Sequence, residues 1–479
     1  MYKIGRSLVL STGTYGLQLA ISLGLVIIVS RLLPPAEIGA YLIASAVMIL
    51  VMPIRDFQLQ SYVMQLKIID SAALRPAVLI AWLSFAASLI IVLFSAVIFD
   101  LAYPDNAIAI CLVIMSVSLV SRPFALLPMS LLARELRYGT IAWIQLTGAV
   151  AKVVVTLSLI ASDLGAAALA WGYVAELAVE MTSIAFVEAK YRFFVPAKSG
   201  VGEVVSFAAP FTAANLVLTI SLAAIPIIIG GFLGLASSAF FNRARTVTQF
   251  FRSNVEGAVH QIVLQRFATL KSEQSLLRKE YVRSIVLLTA ISWPSLAWIF
   301  VTAEPFTLLL FGPRWQQTAV LMQGLAVAGA FYSLTAFSRQ LHAAMYDTTL
   351  LFKRDAWLQL PLLIAVIVAA QYNLVMVVVA IACVTFFAML VHLVLLKRHL
   401  DLDIKYLVVS VAPSALLAVL VWVATSLFAG QQSGIGGEGR LIALSTVAAG
   451  VTWAAALYLT RHPLLAEARE FVKAWRNSP

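Results

Sequence analysis

The chain has 479 residues, 62% of them hydrophobic and only 11% charged, with a mean hydropathy of +0.96. Soluble domains hold roughly 45–50% apolar and about 25% charged residues, so this composition excludes one and makes lipid the solvent of the fold. A net charge of +11 would suit nucleic acid, but no soluble basic segment exists to bind it.

Backbone groups in hydrocarbon must be satisfied within their own segment, and the apolar runs here are about 20 residues long, which selects helices over barrel strands. In chain order the runs fall at 7–31, 38–64, 76–100, 106–133, 139–161, 165–187, 204–231, 235–264, 282–302, 317–345, 356–371, 373–396, 407–428 and 440–460. The pattern predicts an all-α polytopic membrane protein with about fourteen spans. The first run has no cleavage-site pattern and is expected to remain as a span. Cys111 and Cys383 both lie inside apolar runs, where small core residues are expected rather than a disulfide or metal site.

Positive residues are retained on the cytoplasmic side of a membrane. With a cytosolic N-terminus, the even-numbered connections and the two ends hold 23 Lys and Arg, and the opposite side holds only Arg31, Arg314 and Arg440. The asymmetry predicts both ends in the cytosol and supports an even span count. A weak repeat at an offset of 199 aligns Ile21-Ser22-Leu23 with Ile220-Ser221-Leu222 and Ala40-Tyr41 with Ala239-Phe240. It suggests parallel six-helix lobes at 1–200 and 201–400, then spans 13 and 14 at 401–462. Residues 463–479 mix Leu464, Leu465, Phe471 and Trp475 with Arg469, Lys473 and Arg476, an amphipathic tail suited to the cytosolic leaflet.

Seven cations lie within the predicted spans: Arg55, Arg122, Lys152, Arg243, Arg245, Arg252 and Arg339. Each costs about 2.5–3.5 kcal/mol at mid-span, so they are expected to face a wet or paired interior. Arg245, Arg252 and Glu256 share one face of span 8, flanked by Asn242 and Gln249, whereas Arg243 lies nearly opposite Arg252. Span 1 carries a second polar stripe of Ser11, Tyr15, Gln18 and Ser22. Part of this charge can simply lock the bundle, through Arg55 with Asp56, Arg252 with Glu256, and Lys152 or Arg122 with Glu176 or Glu180. The intramembrane acids Asp56, Glu176, Glu180 and Glu256 number only four, however, leaving an excess of three positive charges. Arginine's planar fork matches phosphate oxygens in pairs, so this excess points to a phosphate-bearing amphiphile. His260 and His342, near helix ends, are read as ordinary polar packing. No metal-ligand spacing, phosphate-binding glycine loop or Gly-x-Ser-x-Gly elbow occurs, so no catalytic residue, metal or cofactor is expected.

Three segments carry a family likeness: Ser30-Arg31-Leu32-Leu33-Pro34-Pro35-Ala36-Glu37-Ile38-Gly39-Ala40-Tyr41 between spans 1 and 2, Pro128 through Tyr138 at the end of span 4, and Leu309-Leu310-Phe311-Gly312-Pro313-Arg314-Trp315 between spans 9 and 10. On these the chain resembles the Wzx-like oligosaccharide-lipid flippases of the multidrug/oligosaccharidyl-lipid/polysaccharide (MOP) exporter superfamily, including exporters of the succinoglycan type. The resemblance implies a V-shaped two-lobe bundle that moves a polyprenyl-diphosphate-linked oligosaccharide between leaflets by alternating access, with membrane lipids and polysaccharide polymerase or export machinery as partners. Arg55, Arg122, Lys152, Arg245, Arg252 and Arg339 are the expected diphosphate ligands. Tyr15, Gln18, Asn215, Thr219, Asn242 and Gln249 are the expected glycan-facing residues. The acidic or polar residue often found in the family's helix 7 is missing around Ile225 to Gly231, leaving Glu176, Glu180 and Glu256 for ion coupling. Two rivals are an organic-ion antiporter of the same superfamily, which needs lumenal carboxylates in excess, and a membrane glycan polymerase, which needs a sizeable external loop.

Overall fold

The computed structural model describes all residues except 1, 67–70, 104–106, 188–195, 271–272, 339, 342–347, 430–436, 468 and 470–479. Only the backbone is described at 2–12, 15, 71–73, 218, 221–222, 251–262, 264–265, 348–358, 399 and 429. The expected roles of Arg339 and of most of the amphipathic tail, and the side chains of Tyr15, Arg252, Glu256 and His260, therefore lie outside the described residues, as does His342.

The described residues contain helices and no strand. In order these are α1 (Tyr2–Leu32), α2 (Pro35–Asp56), α3 (Leu59–Gln65), α4 (Ser71–Ala102), α5 (Ile108–Ser116), α6 (Ser121–Arg134), α7 (Tyr138–Ile160), α8 (Ala166–Val187), α9 (Val201–Leu233) and α10 (Leu235–Thr269). There follow α11 (Gln274–Leu310), α12 (Gln317–Ser333), α13 (Thr348–Ala370), α14 (Leu374–Leu400), α15 (Ile404–Ala429) and α16 (Glu438–Leu459). Among the described residues nine helical segments are long and apolar enough to cross a membrane, and Gly16–Leu32, Val201–Val217, Ala223–Leu233 and Gln359–Ala370 are shorter apolar stretches. The charged α10 is not among the nine.

Three spans expected as single helices are interrupted among the described residues; in the run 317–345 the break is the turn at 334–337 that follows α12. At the end of α2, Phe57 (φ 41°) and Gln58 (φ 48°) both take the left-handed conformation, and α3 starts afresh beyond them. Between α5 and α6, residues Val117–Val120 tighten into a 3-10 turn. The cause lies in Pro123, which has no N–H to offer the Leu119 carbonyl one turn back, so the helix enters α6 through shorter-range bonds.

The helices gather into two compact units, Met1–Ala239 and Phe240–Pro479, with α10 running across the division. In the first, α2 packs against α4, α5, α8 and α9. Ala40, Ile43, Ala44 and Val47 of α2 meet Val92, Ile108, Leu112 and Ala170 in one buried cluster. Pro34 caps α2 and Pro35 opens it, a position where the missing N–H costs nothing. One turn on, Gly39 lies so close to the start of α10 that a Cβ would overlap the Leu235 carbonyl oxygen. Helices α7 and α8 touch along their length because Gly172 leaves no side chain against Thr156.

In the second unit α11 is central and packs against α12, α15 and α16. Tyr281, Ile285, Phe337, Leu341, Leu396 and Leu407 fill a buried cluster there. A polar chain crosses this apolar interior: Thr289 Oγ1 donates to Ser414 Oγ at 3.0 Å, and Ser414 Oγ lies 3.2 Å from His462 Nε2. The Leu464 N–H donates to the other ring nitrogen of His462 at 3.2 Å, which ties the segment after α16 to the bundle, and Glu467 pairs with Arg283 of α11. A histidine that accepts at Nδ1 must be neutral, and burial pushes His462 below the ordinary histidine value.

Two outcomes follow from these contacts. Gly39→Ala inserts a methyl group into backbone and lowers stability by about 1–3 kcal/mol, whereas Gly24→Ala, which meets nothing within 4 Å, does not; thermal unfolding in detergent separates the two. Protonation of His462 favours the undocked segment, so its contribution is complete above about pH 6.5 and is lost as the pH falls below that value. Protease cleavage after Arg461 should rise on acidification in the wild type but be fast at all pH values in His462→Ala.

Candidate functional site

The first unit collects its intramembrane charges into one connected cluster. Arg55 stands at the last turn of α2, immediately before the break at Phe57, and is 9% exposed. Its Nε donates to Asp56 Oδ1 at 2.8 Å and its Nη2 to Asp56 Oδ2 at 3.3 Å. Arg122 stands at the start of α6, immediately after the 3-10 turn, and its Nε lies 3.0 Å from the same Asp56 Oδ1. That Nε is buried and out of line, so it completes the ion pair without a hydrogen bond among the described residues. An unsatisfied buried donor costs about 1–3 kcal/mol, which makes Arg122 the most receptive member of the cluster.

Tyr173 of α8 links this triad to a second pair, since its hydroxyl interacts with Arg55 while its ring lies 5.9 Å from Lys152 Nζ. Lys152, on α7, donates to Glu176 Oε2 of α8 at 2.7 Å. Glu180, one turn beyond Glu176, lies where a Cβ on Gly148 of α7 would touch it. Arg55, Arg122, Lys152, Glu176 and Glu180 are thus brought together with Asp56, and Arg122 pairs with Asp56 rather than with the α8 carboxylates. Three cations face three carboxylates, so the excess positive charge in the sequence falls on the second unit.

The other described candidates lie on α1, α9 and α10. Gln18 is half-buried on α1. On α9, Asn215 is half-buried and its carbonyl accepts from Thr219 Oγ1 at 2.7 Å, a bond within the helix. In the second unit Asn242, Arg245 and Gln249 are half-buried on α10, and the Asn242 carbonyl accepts from Thr246 Oγ1 at 2.8 Å. Arg243 is 6% exposed and lies against the Trp315 ring, 5.5 Å from its centroid, a cation–π contact that helps to stabilise a buried guanidinium.

Each family-like segment proves to hold a corner. The first places Pro34, Pro35 and Gly39 at the α1–α2 turn. The second contains Arg134, whose Nη1 reaches the Val63 and Leu66 carbonyls and satisfies the otherwise open end of α3. In the third, Gly312 (φ 94°) makes a turn that other residues resist, and Trp315 fills it, fully buried against Phe240 at 5.6 Å and Phe311 at 5.9 Å.

The sequence pairs Asp56 with Arg55 alone and does not mark Tyr173. The signals were present, since Asp56 adjoins Arg55 and Tyr173 precedes Glu176 by three residues, one helical turn.

The structure is similar to that of the lipid II flippase MurJ in its inward closed conformation, with a TM-score of 0.74 at 13% identity over 94% of this chain and 99% of that one. An inward-facing multidrug resistance MATE transporter of the MOP superfamily matches with a TM-score of 0.59 at 14% identity, over 80% of this chain and 94% of that one. Residues 28–320, more than half of the chain, match the family described as "Polysaccharide biosynthesis protein", and the chain belongs to that family. The teichuronic acid biosynthesis protein TuaB of Bacillus subtilis (strain 168) is 24% identical over 103 residues, 22% of this chain and 21% of that protein. This match therefore spans about a fifth of the curated relative.

The cluster makes a measurable claim on stability. Lys152→Met and Glu176→Met each leave a partly buried charge unpaired and cost about 2 kcal/mol or more, while the double variant recovers most of the loss. Unfolding midpoints of the four proteins in detergent give the coupling energy, and additive losses would show that the pair does not interact.

Proposed function

We propose that the protein is a flippase that carries a polyprenyl-diphosphate-linked oligosaccharide from the cytosolic to the periplasmic leaflet of a bacterial inner membrane for exopolysaccharide or surface polysaccharide synthesis. The observation that carries this reading is the pair of arginines, Arg55 and Arg122, held at two helix breaks over a single carboxylate within membrane-spanning segments. Two forks at one place suit a diphosphate, which offers paired anionic oxygens, better than an organic cation. Membership of the polysaccharide biosynthesis family supports the glycan, and the transporter fold supports movement by alternating access.

In this reading Arg55, Arg122 and Lys152 of the first unit bind the diphosphate, as do Arg245, Arg252 and Arg339 of the second. The polar groups of Tyr15, Gln18, Asn215, Thr219, Asn242 and Gln249 contact sugars. Glu176, Glu180 and Glu256 couple transport to an ion, and membrane lipid receives the polyprenyl tail. Both chain ends lie in the cytosol, and the flipped product passes to a polysaccharide polymerase or export complex.

The test is transport of a fluorescent lipid-linked oligosaccharide in liposomes, with the outer-leaflet label quenched. Arg122→Ala should slow flipping at least about tenfold, the loss of roughly one charge-assisted contact, with further losses in Arg245→Ala and Arg252→Ala. Unchanged rates in all three remove the site assignment. Proton exchange stimulated by organic cations would favour an antiporter, and glycosidic bond formation by the purified protein would favour a polymerase.

A further inference from the structure

Asp56 occupies, with a carboxylate, the position between two guanidinium groups that an incoming phosphate would need. Its Oδ1 lies 2.8 Å from Arg55 Nε and 3.0 Å from Arg122 Nε, so one oxygen is shared by both forks. The hold is unequal. Arg55 makes two hydrogen bonds to its neighbour, whereas the Arg122 Nε, buried at the same oxygen, makes none. The Asp56 side chain is 32% exposed against 10% for Arg55 and 20% for Arg122, so the carboxylate is the most accessible of the three.

Both arginines are positioned by backbone that departs from helix within a few residues, at Phe57–Gln58 on one side and Val117–Val120 on the other. Asp56 is the last residue of α2, directly before the left-handed pair, so its side chain can turn away without unwinding a helix interior. An anion with several strong acceptor oxygens can therefore align with Arg122 as Asp56 does not, and take its place.

We propose that Asp56 is a built-in competitor for the diphosphate: it neutralises Arg55 and Arg122 in the empty transporter, is displaced from Arg122 when the anion binds, and returns to expel it. The residue is a positioning and affinity-setting group rather than a ligand. The inference rests on the reading of this cluster as the diphosphate site. Physically it answers two requirements at once, since the empty cluster must not leave two unpaired guanidiniums among apolar helices, and the loaded one must not hold its cargo irreversibly.

The experiment uses the full chain in nanodiscs with geranylgeranyl diphosphate as the probe, geranylgeraniol as the uncharged control and inorganic pyrophosphate as the lipid-free anion. Asp56→Asn should bind the diphosphate about tenfold tighter than wild type, the equivalent of removing one competing ion pair, and should flip lipid-linked glycan more slowly because release is retarded. Asp56→Glu, which keeps the competing charge, should not tighten binding. Tightening towards geranylgeranyl diphosphate and pyrophosphate alike assigns the effect to the anion, and tightening towards geranylgeraniol overturns the proposal.

Failure of this inference and failure of the underlying reading are distinguishable. Binding that Arg122→Gln abolishes but Asp56→Asn leaves unchanged overturns the competitor while keeping the site. Absence of diphosphate binding in every variant overturns both. If Asp56→Asn does not assemble, wild-type protein labelled with 13C-aspartate gives a second measurement, the infrared carboxylate stretch on adding geranylgeranyl diphosphate. A shifted band supports displacement, and an unmoved band overturns it.

Discussion

Charge inside hydrocarbon-length helices has to be matched where it stands, and Asp56 is the group that does so for Arg55 and Arg122. One carboxylate serves two guanidiniums that arrive from different helices, and the backbone on each side bends to bring them there. A regular α2 running through to α3 would continue past Arg55 with its side chains at the usual rotation, and the left-handed pair at Phe57 and Gln58 ends that progression. The strain of two non-glycine residues in that conformation, about 1–2 kcal/mol each, is comparable to what a partly buried ion pair returns.

The remaining corners are fixed by shape rather than charge. Gly39 allows α2 to touch the Leu235 carbonyl, and Gly172 allows α7 to lie against α8, which puts Lys152 within 2.7 Å of Glu176. Trp315 fills the turn made by Gly312 and holds the Arg243 guanidinium against its ring. Without an aqueous drive between helices in lipid, such close approaches supply much of the association energy. The family-like segments are therefore legible as structural joints, and their presence speaks to the fold more than to the cargo.

Hydropathy made the helices legible because a span has to be long and apolar, and the helices fall on the predicted runs; it could not reveal where a span would break. Pro53 and Pro123 were visible, yet a proline in a membrane helix is compatible with a kink or a straight path, depending on its neighbours. The partner of Arg122 was equally hidden. Periodicity reports which face of its own helix a residue occupies, not which helix lies opposite, so Asp56 and the α8 carboxylates were equivalent choices until the packing of α6 was known. Arg243 shows the same limit, since an aromatic face leaves no trace in a count of charges.

The two units solve the problem of intramembrane charge differently. In the first, cations and carboxylates are equal in number, so an anion binding there as proposed would have to compete with a group already present. In the second, Arg243, Arg245, Arg252 and Arg339 outnumber Glu256 in the sequence, and Arg243 lies over the Trp315 ring. Excess charge raises the affinity for any anion but offers nothing to drive it off again. A balanced cluster binds more weakly and exchanges more readily. A carrier needs both properties, because affinity common to the loaded states adds nothing to turnover while a resident competitor shortens the life of the complex. In the proposed transporter, the balanced unit rather than the one with the larger positive charge would then set the rate of release.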